Sequence, residues 1–65
     1  MPPWIQIAPQ SEGWVVLYMS PLAGKVIQVA LEYPKSREGA MKAAERWAEK
    51  LGGGKRLEII ISGER

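Results

Sequence analysis

The run of residues 14–19 limits the fold more than any other part of the chain. It reads Trp-Val-Val-Leu-Tyr-Met and carries an apolar or aromatic side chain at every position. A short run of this kind, rich in β-branched and aromatic residues, is typical of a β-strand. Successive side chains of a strand point to opposite faces of its sheet. An all-apolar strand therefore has to be covered on both sides.

Three further segments predict strands beside this run. Residues 4–8 are apolar except at Gln6 and are followed by Pro9 and a polar turn. Residues 25–33 alternate with period two, and residues 55–62 carry an apolar side chain at every second position. In the third strand we assign Ile27, Val29, Leu31 and Tyr33 to one face, and Gln28 and Glu32 to the other.

A helix is predicted from about residue 37 to residue 51. Ser36 is a good N-cap, and the carboxylate of Glu38 suits the positive end of the helix dipole. The stripe expected to pack on the sheet is Ala40, Ala44, Trp47 and Leu51, flanked by Ala43 and Ala48. The glycines of residues 52–54 end the helix as a C-cap and loop. A phosphate-binding loop would instead have to precede a helix.

These elements predict a single α+β domain over residues 1–65, in the order β-β-β-α-β. Short connections make the first three strands an antiparallel meander, and the helix packs on one face of a four-stranded sheet. A right-handed crossover places the last strand beside the first and parallel to it, which gives the strand order 3-2-1-4. The predicted core consists of Ile5, Ile7, Val15, Leu17, Ile27, Val29, Leu31, Leu57, Ile59, Ile61 and Trp47.

The residue types behind most enzyme chemistry are missing. The chain contains no His, Cys or Asp, so a catalytic triad, thiol chemistry and imidazole ligation of a metal are excluded. We predict no enzymatic activity, no catalytic residue and no cofactor. Glu45 and Glu49 lie one helical turn apart and could together bind a hard cation. Two solvated carboxylates beside Lys42 and Arg46 are the favoured interpretation, so no metal site is predicted.

The sheet face turned away from the helix is expected to be apolar. We assign to it a candidate interaction surface of Trp4, Trp14, Val16, Tyr18 and Ile60, together with Val26 and Ala30. An apolar patch of that size marks a binding surface. Three alternatives stay open, namely burial within the monomer, burial in a homo-oligomer and stacking of nucleobases.

The charge distribution favours a protein partner over nucleic acid. Nine Lys and Arg against seven Glu give a formal charge of +2, and no block of about five or more like charges occurs. Nucleic-acid binding through the open sheet face and basic residues such as Lys25 and Arg56 is therefore the second choice. No apolar segment approaches the roughly 20 residues of a membrane span, and no secretory signal pattern is present, so a cytoplasmic location is expected. The absence of Asn and Cys favours a thermophilic source.

Several short motifs resemble a known family. Gly13-Trp14-Val15-Val16, Ser20-Pro21-Leu22-Ala23-Gly24 and Lys35-Ser36-Arg37-Glu38-Gly39-Ala40 stand in the order found in the N-terminal domain of HicB-like antitoxins. The resemblance covers about residues 5–51 and implies a fold related to a truncated RNase H core, without its catalysis, that assembles into oligomers. Here the third strand is longer, Gly39 replaces the usual second acid, and the family's operator-binding segment has no counterpart.

A second resemblance is as good. It is to a family of short microbial domains of unknown function, and the matching residues are Ile7, Pro9, Gly13, Trp14, Val16 and Gly63. Both sets of motifs are mostly structural. The sequence thus predicts a small interaction module that self-associates, and an antitoxin-like role with a protein partner is what the first resemblance implies.

Overall fold

Four strands and one helix succeed one another in the order β-β-β-α-β in a computed structural model that describes residues 2–63. They are β1 (Trp4–Gln10), β2 (Gly13–Leu22), β3 (Lys25–Glu32), α1 (Arg37–Gly52) and β4 (Glu58–Ile61). The sheet has the order β3-β2-β1-β4. β2 runs antiparallel to both β1 and β3, and β4 runs parallel to β1. The predicted α+β fold and strand order are confirmed.

The helix begins and ends where the predicted caps place it. Ser36 has extended backbone angles, and its Oγ accepts a hydrogen bond of 3.0 Å from the backbone N–H of Gly39. At the other end Gly53 takes the left-handed conformation, which costs glycine little. The buried side of α1 consists of Ala40, Ala43, Ala44 and Ala48. These small side chains let the helix backbone approach the sheet closely.

The connection between β2 and β3 is a two-residue turn. Ala23 has φ 51° and Gly24 has φ 84°, so both central residues are left-handed, as in a type I′ hairpin turn. The ladder between these strands also has a register shift: Leu17 pairs with Ala30, whereas Val16 pairs with Glu32. β3 therefore has one more residue than the facing part of β2, namely Leu31, and an irregularity of this kind is a β-bulge.

The glycine at the start of β2 allows a close backbone contact. The N–H of Trp14 donates to the carbonyl of Pro34 at 2.8 Å. A Cβ on Gly13 would lie 2.7 Å from that carbonyl oxygen, and the φ of Gly13 is 142°. The Gly-Trp dipeptide of the sequence motif thus ties the start of β2 to the segment that leads into α1.

The faces of β2 are the reverse of those predicted. Ile5 pairs with Tyr18 and Ile7 with Val16, which puts Tyr18 and Val16 on the helix side. Val16 is 0% exposed and belongs to the central core cluster. Val15 and Leu17, which were predicted to face the helix, point the other way. The prediction was wrong because an all-apolar strand offers no polar positions that fix its register.

The core also extends over fewer strands than predicted. α1 packs on β1, β2 and β4. Ile27 and Val29 of β3 lie beyond its reach and are 43% and 46% exposed, so their predicted burial is wrong. Val15 is buried and Leu17 is half-buried, although both lie on the side away from the helix. The other predicted core residues, Leu31, Trp47, Leu57, Ile59 and Ile61, are partly buried against the central cluster. Ile5 and Ile7 are fully buried.

Candidate interaction surfaces

One face of the sheet lies opposite α1. We call it the open face and define it by the strand residues that alternate away from the helix. They are Trp4, Gln6, Ala8, Val15, Leu17, Met19, Pro21, Val26, Gln28, Ala30, Glu58 and Ile60. Within this set only Glu58, at the β4 edge, is charged. The open face is therefore almost uncharged across all four strands.

Burial differs along the open face. Val15 is 5% exposed, while Ile60 is 39% and Val26 is 50% exposed. Leu17 and Met19, at the centre of the sheet, are half-buried. The centre is therefore shielded by its own neighbours, and the apolar surface that meets solvent is largest toward the two edge strands.

The structure divides the predicted interaction surface between two faces. Trp4 and Ile60 lie on the open face, as predicted. Trp14, Val16 and Tyr18 lie on the helix side and pack in or against the core, so their assignment to the open face is wrong. Val26 and Ala30 are on the open face, as expected. The open-face residues of β2 that sequence reasoning missed are Val15, Leu17, Met19 and Pro21.

A groove of about 640 Å³ continues the open face beyond β4. Its lining consists of Pro2, Pro3, Trp4, Gly52, Lys55, Arg56, Leu57, Glu58 and Ile60. The indole Nε1 of Trp4 donates to Oε1 of Gln6 at 2.9 Å, which holds the ring along β1. The groove is mostly apolar and has two basic side chains at its rim.

A second exposed surface is the outer strand of the sheet. Residues 25–30 of β3 are exposed at every position, although the strand is mostly apolar. We call this segment the β3 edge. An edge strand presents unpaired backbone N–H and C=O groups, and its exposure on both faces shows that neither α1 nor any other described element covers it.

A polar contact joins the far end of β3 to the helix. The indole Nε1 of Trp47 donates to Oε1 of Glu32 at 2.7 Å, and the guanidinium of Arg46 forms a salt bridge with the same oxygen. The Trp47 hydrogen bond, supported by the Arg46 charge and hydrogen bond, lowers the pKa of the Glu32 carboxyl below its ordinary value. Glu32 was predicted on the open face, and the bulge at Leu31 is the reason that it lies on the helix side instead.

The remaining charged groups form a dispersed surface. Glu45 is 3.8 Å from Arg56, with both side chains more than half exposed, so this pair contributes little to stability. Within residues 2–63 no three acidic side chains gather in a way that could hold a metal ion. No helix in this range is long and apolar enough to cross a membrane.

Comparisons of the chain with protein-family models, with curated proteins and with solved structures found no match. The resemblance to HicB-like antitoxins therefore stays a prediction from the motifs. Two of those motifs have a local structural explanation: Gly13 permits the contact with Pro34, and Ser36 caps α1. Motifs of this kind specify a backbone shape that unrelated functions can share.

Proposed function

We propose that this protein is a non-enzymatic interaction module that self-associates through the open face. The observation that carries the proposal is the nearly uncharged apolar surface opposite α1. One helix covers one side of the sheet, and a domain of this size has little other apolar burial to stabilise it. A second copy packed on the open face supplies the missing cover.

The size of the open face suits a two-fold contact. Strands about 4.8 Å apart with a rise of about 3.3 Å per residue give four strands of about seven residues a face of roughly 19 by 23 Å. This projection is about half of the roughly 800 Å² per partner of a stable interface, so the groove that adjoins Trp4 and Ile60 would form part of the contact. Two sheets packed face to face at about 10 Å would form a sandwich.

Charge favours a second copy of the chain as the occupant. Each chain carries a formal charge of +2, so two copies repel each other where their basic residues meet. The open face has no Lys or Arg, and its one acid, Glu58, lies at the edge of the sheet rather than at its centre. A two-fold copy can therefore pack on this face without burying like charges.

The test is a charge at the centre of the open face. Leu17→Glu should reduce the particle mass measured by sedimentation while the circular dichroism spectrum stays folded. The matched control is Leu51→Glu on α1, where the leucine is already 40% exposed, and it should leave the mass unchanged. An unchanged mass for folded Leu17→Glu would contradict self-association through this face.

The antitoxin-like role belongs to the same proposal and is supported by the resemblance alone. It adds a second, different protein as the partner. The module would then hold its own copies together and offer a further surface to that protein. In this role the chain provides binding and no catalysis, in keeping with its lack of His, Cys and Asp.

One observation favours the second candidate, a nucleic-acid-binding function. Lys55 and Arg56 line the same groove as Trp4, and single strands are bound by aromatic rings combined with basic side chains in one groove. Titration with single-stranded DNA and RNA at two salt concentrations tests it. Binding that weakens steeply with salt and is lost in Trp4→Ala would support this function over the first.

A further inference from the structure

The β3 edge is unusual because it lacks the features that protect most edge strands. Such strands normally carry prolines, several charges or a bulge that twists them away from a neighbour. Residues 25–30 contain no proline, and Lys25 is their only charge. The bulge of β3 lies at Leu31, outside this segment. Six consecutive exposed residues are therefore free to pair with another strand.

The sequence of the β3 edge is self-complementary. It is nearly symmetric about Gln28, since Ile27 and Val29 flank it on one face, and Val26 and Ala30 lie two residues away on the other. In an antiparallel pair, directly opposite residues share a face. A second copy centred on Gln28 therefore places Ile27 against Val29 and Val26 against Ala30.

We propose that β3 pairs antiparallel with β3 of a second copy, centred on Gln28, to form one continuous eight-stranded sheet. Each exposed apolar side chain of the β3 edge then gains an apolar neighbour on its own face. The two Gln28 side chains meet at the two-fold axis, where each amide can donate to and accept from the other. The outward backbone groups of both strands gain hydrogen-bond partners.

Charge supports this register. In a pair centred on Gln28, Lys25 lies opposite Leu31 of the second copy, so the two lysines stay apart. Glu32 is held by Trp47 and Arg46 of its own chain and does not compete for Lys25. A pair centred on Lys25 would oppose the two lysines, and like charges directly opposite each other are destabilising.

This contact uses a different surface from the open face and does not rest on the function proposed above. Edge pairing extends the sheet sideways, while the open face of the extended sheet stays available. Both contacts together give an assembly of four chains with two kinds of two-fold axis. The two proposals can therefore fail separately.

Cysteine crosslinking tests the register directly, because the chain has no cysteine of its own. In Gln28→Cys the two introduced residues lie opposite each other with Cβ atoms about 5 Å apart, and either mild oxidation or a short thiol-specific crosslinker should join the chains. In Ala30→Cys the two introduced cysteines lie about 13 Å apart along the strands, so the chains should stay unlinked. Folded Gln28→Cys that does not crosslink, or Ala30→Cys that crosslinks better, would overturn the proposed pairing.

Particle mass gives an independent readout. The double variant Ile27→Lys/Val29→Lys places charges on an exposed apolar strand, so it should keep the fold but halve the mass. Leu17→Glu should also halve the particle mass, because it breaks the contact through the open face. The triple variant that combines Leu17→Glu with Ile27→Lys and Val29→Lys should be monomeric. A folded double variant with the wild-type mass would refute edge pairing whatever Leu17→Glu does.

Discussion

The indole N–H of Trp47 donates to Glu32 at 2.7 Å, and this bond links the helix to β3, whose residues 25–30 the helix does not cover. Arg46, the preceding residue of α1, reaches the same carboxylate oxygen. The end of β3 is thus held by polar contacts, while the rest of this strand is free on both faces. The arrangement anchors the edge strand and leaves its pairing surface exposed.

Stability should depend on pH through Glu32. Its folded pKa is lowered, first by the Trp47 hydrogen bond and then by Arg46. A lowered folded pKa stabilises the fold at pH values above the unfolded pKa, near 4.3, and this stabilisation is lost as pH falls through the folded pKa. We expect the urea midpoint to fall between about pH 5 and pH 3. Glu32→Gln should be less stable at neutral pH and show a shallower dependence in the same range. An identical pH profile in both proteins would contradict this assignment.

Glutamate at two adjacent positions of β2 should have opposite consequences. Val16 is fully buried against α1, so Val16→Glu buries an unpaired carboxylate and should cost several kcal/mol, enough to unfold so small a domain. Leu17→Glu should leave the fold intact and change only the assembly. Circular dichroism with sedimentation separates the two effects. If Val16→Glu folds and Leu17→Glu unfolds, the faces of β2 have been assigned the wrong way round.

The hairpin turn between β2 and β3 offers a stabilising change. Ala23 has φ 51°, and left-handed backbone costs a residue with a Cβ about 1–2 kcal/mol. Asparagine tolerates this conformation and precedes glycine in the commonest type I′ turns. Ala23→Asn should therefore raise the free energy of unfolding by about 0.5–1 kcal/mol, measured by urea denaturation. Gly24→Ala, at φ 84°, is the opposite control and should lower it.

Gly13 and Gly54 form a matched pair that separates crowding from backbone strain. Both have positive φ, 142° and 104°, but a Cβ meets the Pro34 oxygen at 2.7 Å only at Gly13 and meets nothing within 4 Å at Gly54. Gly13→Ala should therefore lose more stability than Gly54→Ala, by at least about 1 kcal/mol. Equal losses in urea denaturation would mean that strain alone explains the glycine of the Gly-Trp motif.

Where the sequence contains polar markers, it predicted the strand faces well, except after the bulge at Leu31, where the face of Glu32 was wrong. Gln28 marked the open face of β3, and the alanines of α1 gave the packing side of the helix, whereas the predicted packing of Leu51 is wrong because this residue is 40% exposed. β2 has no such marker between Trp14 and Met19, so its two faces could be told apart only by pairing with β1. The predicted interaction surface was wrong for the same reason, because most of its residues came from β2, whose two faces were exchanged.

The number of strands that the helix covers was harder to predict than the strands themselves. Strand order placed β3 at one edge, yet periodicity gives no information about how many strands one helix can shield. A usable signal was present in residues 26–30, where apolar side chains fall on both faces of the strand. A strand at the edge of a sheet with this pattern has to expose some of them.

The bulge at Leu31 determines which surface receives a negative charge. In a regular strand Glu32 would follow the alternation of Gln28 and Ala30 and lie on the open face. Leu31 packs against the core, and the one extra residue shifts the phase of the strand after it, so that Glu32 pairs with Val16 and its carboxylate turns toward Trp47. A single inserted residue thus removes a charge from an apolar surface and gives the helix a fixed attachment point at the sheet edge. Without the bulge, Leu31 would pair with Val16 and Glu32 with Val15, which would return the carboxylate to the open face.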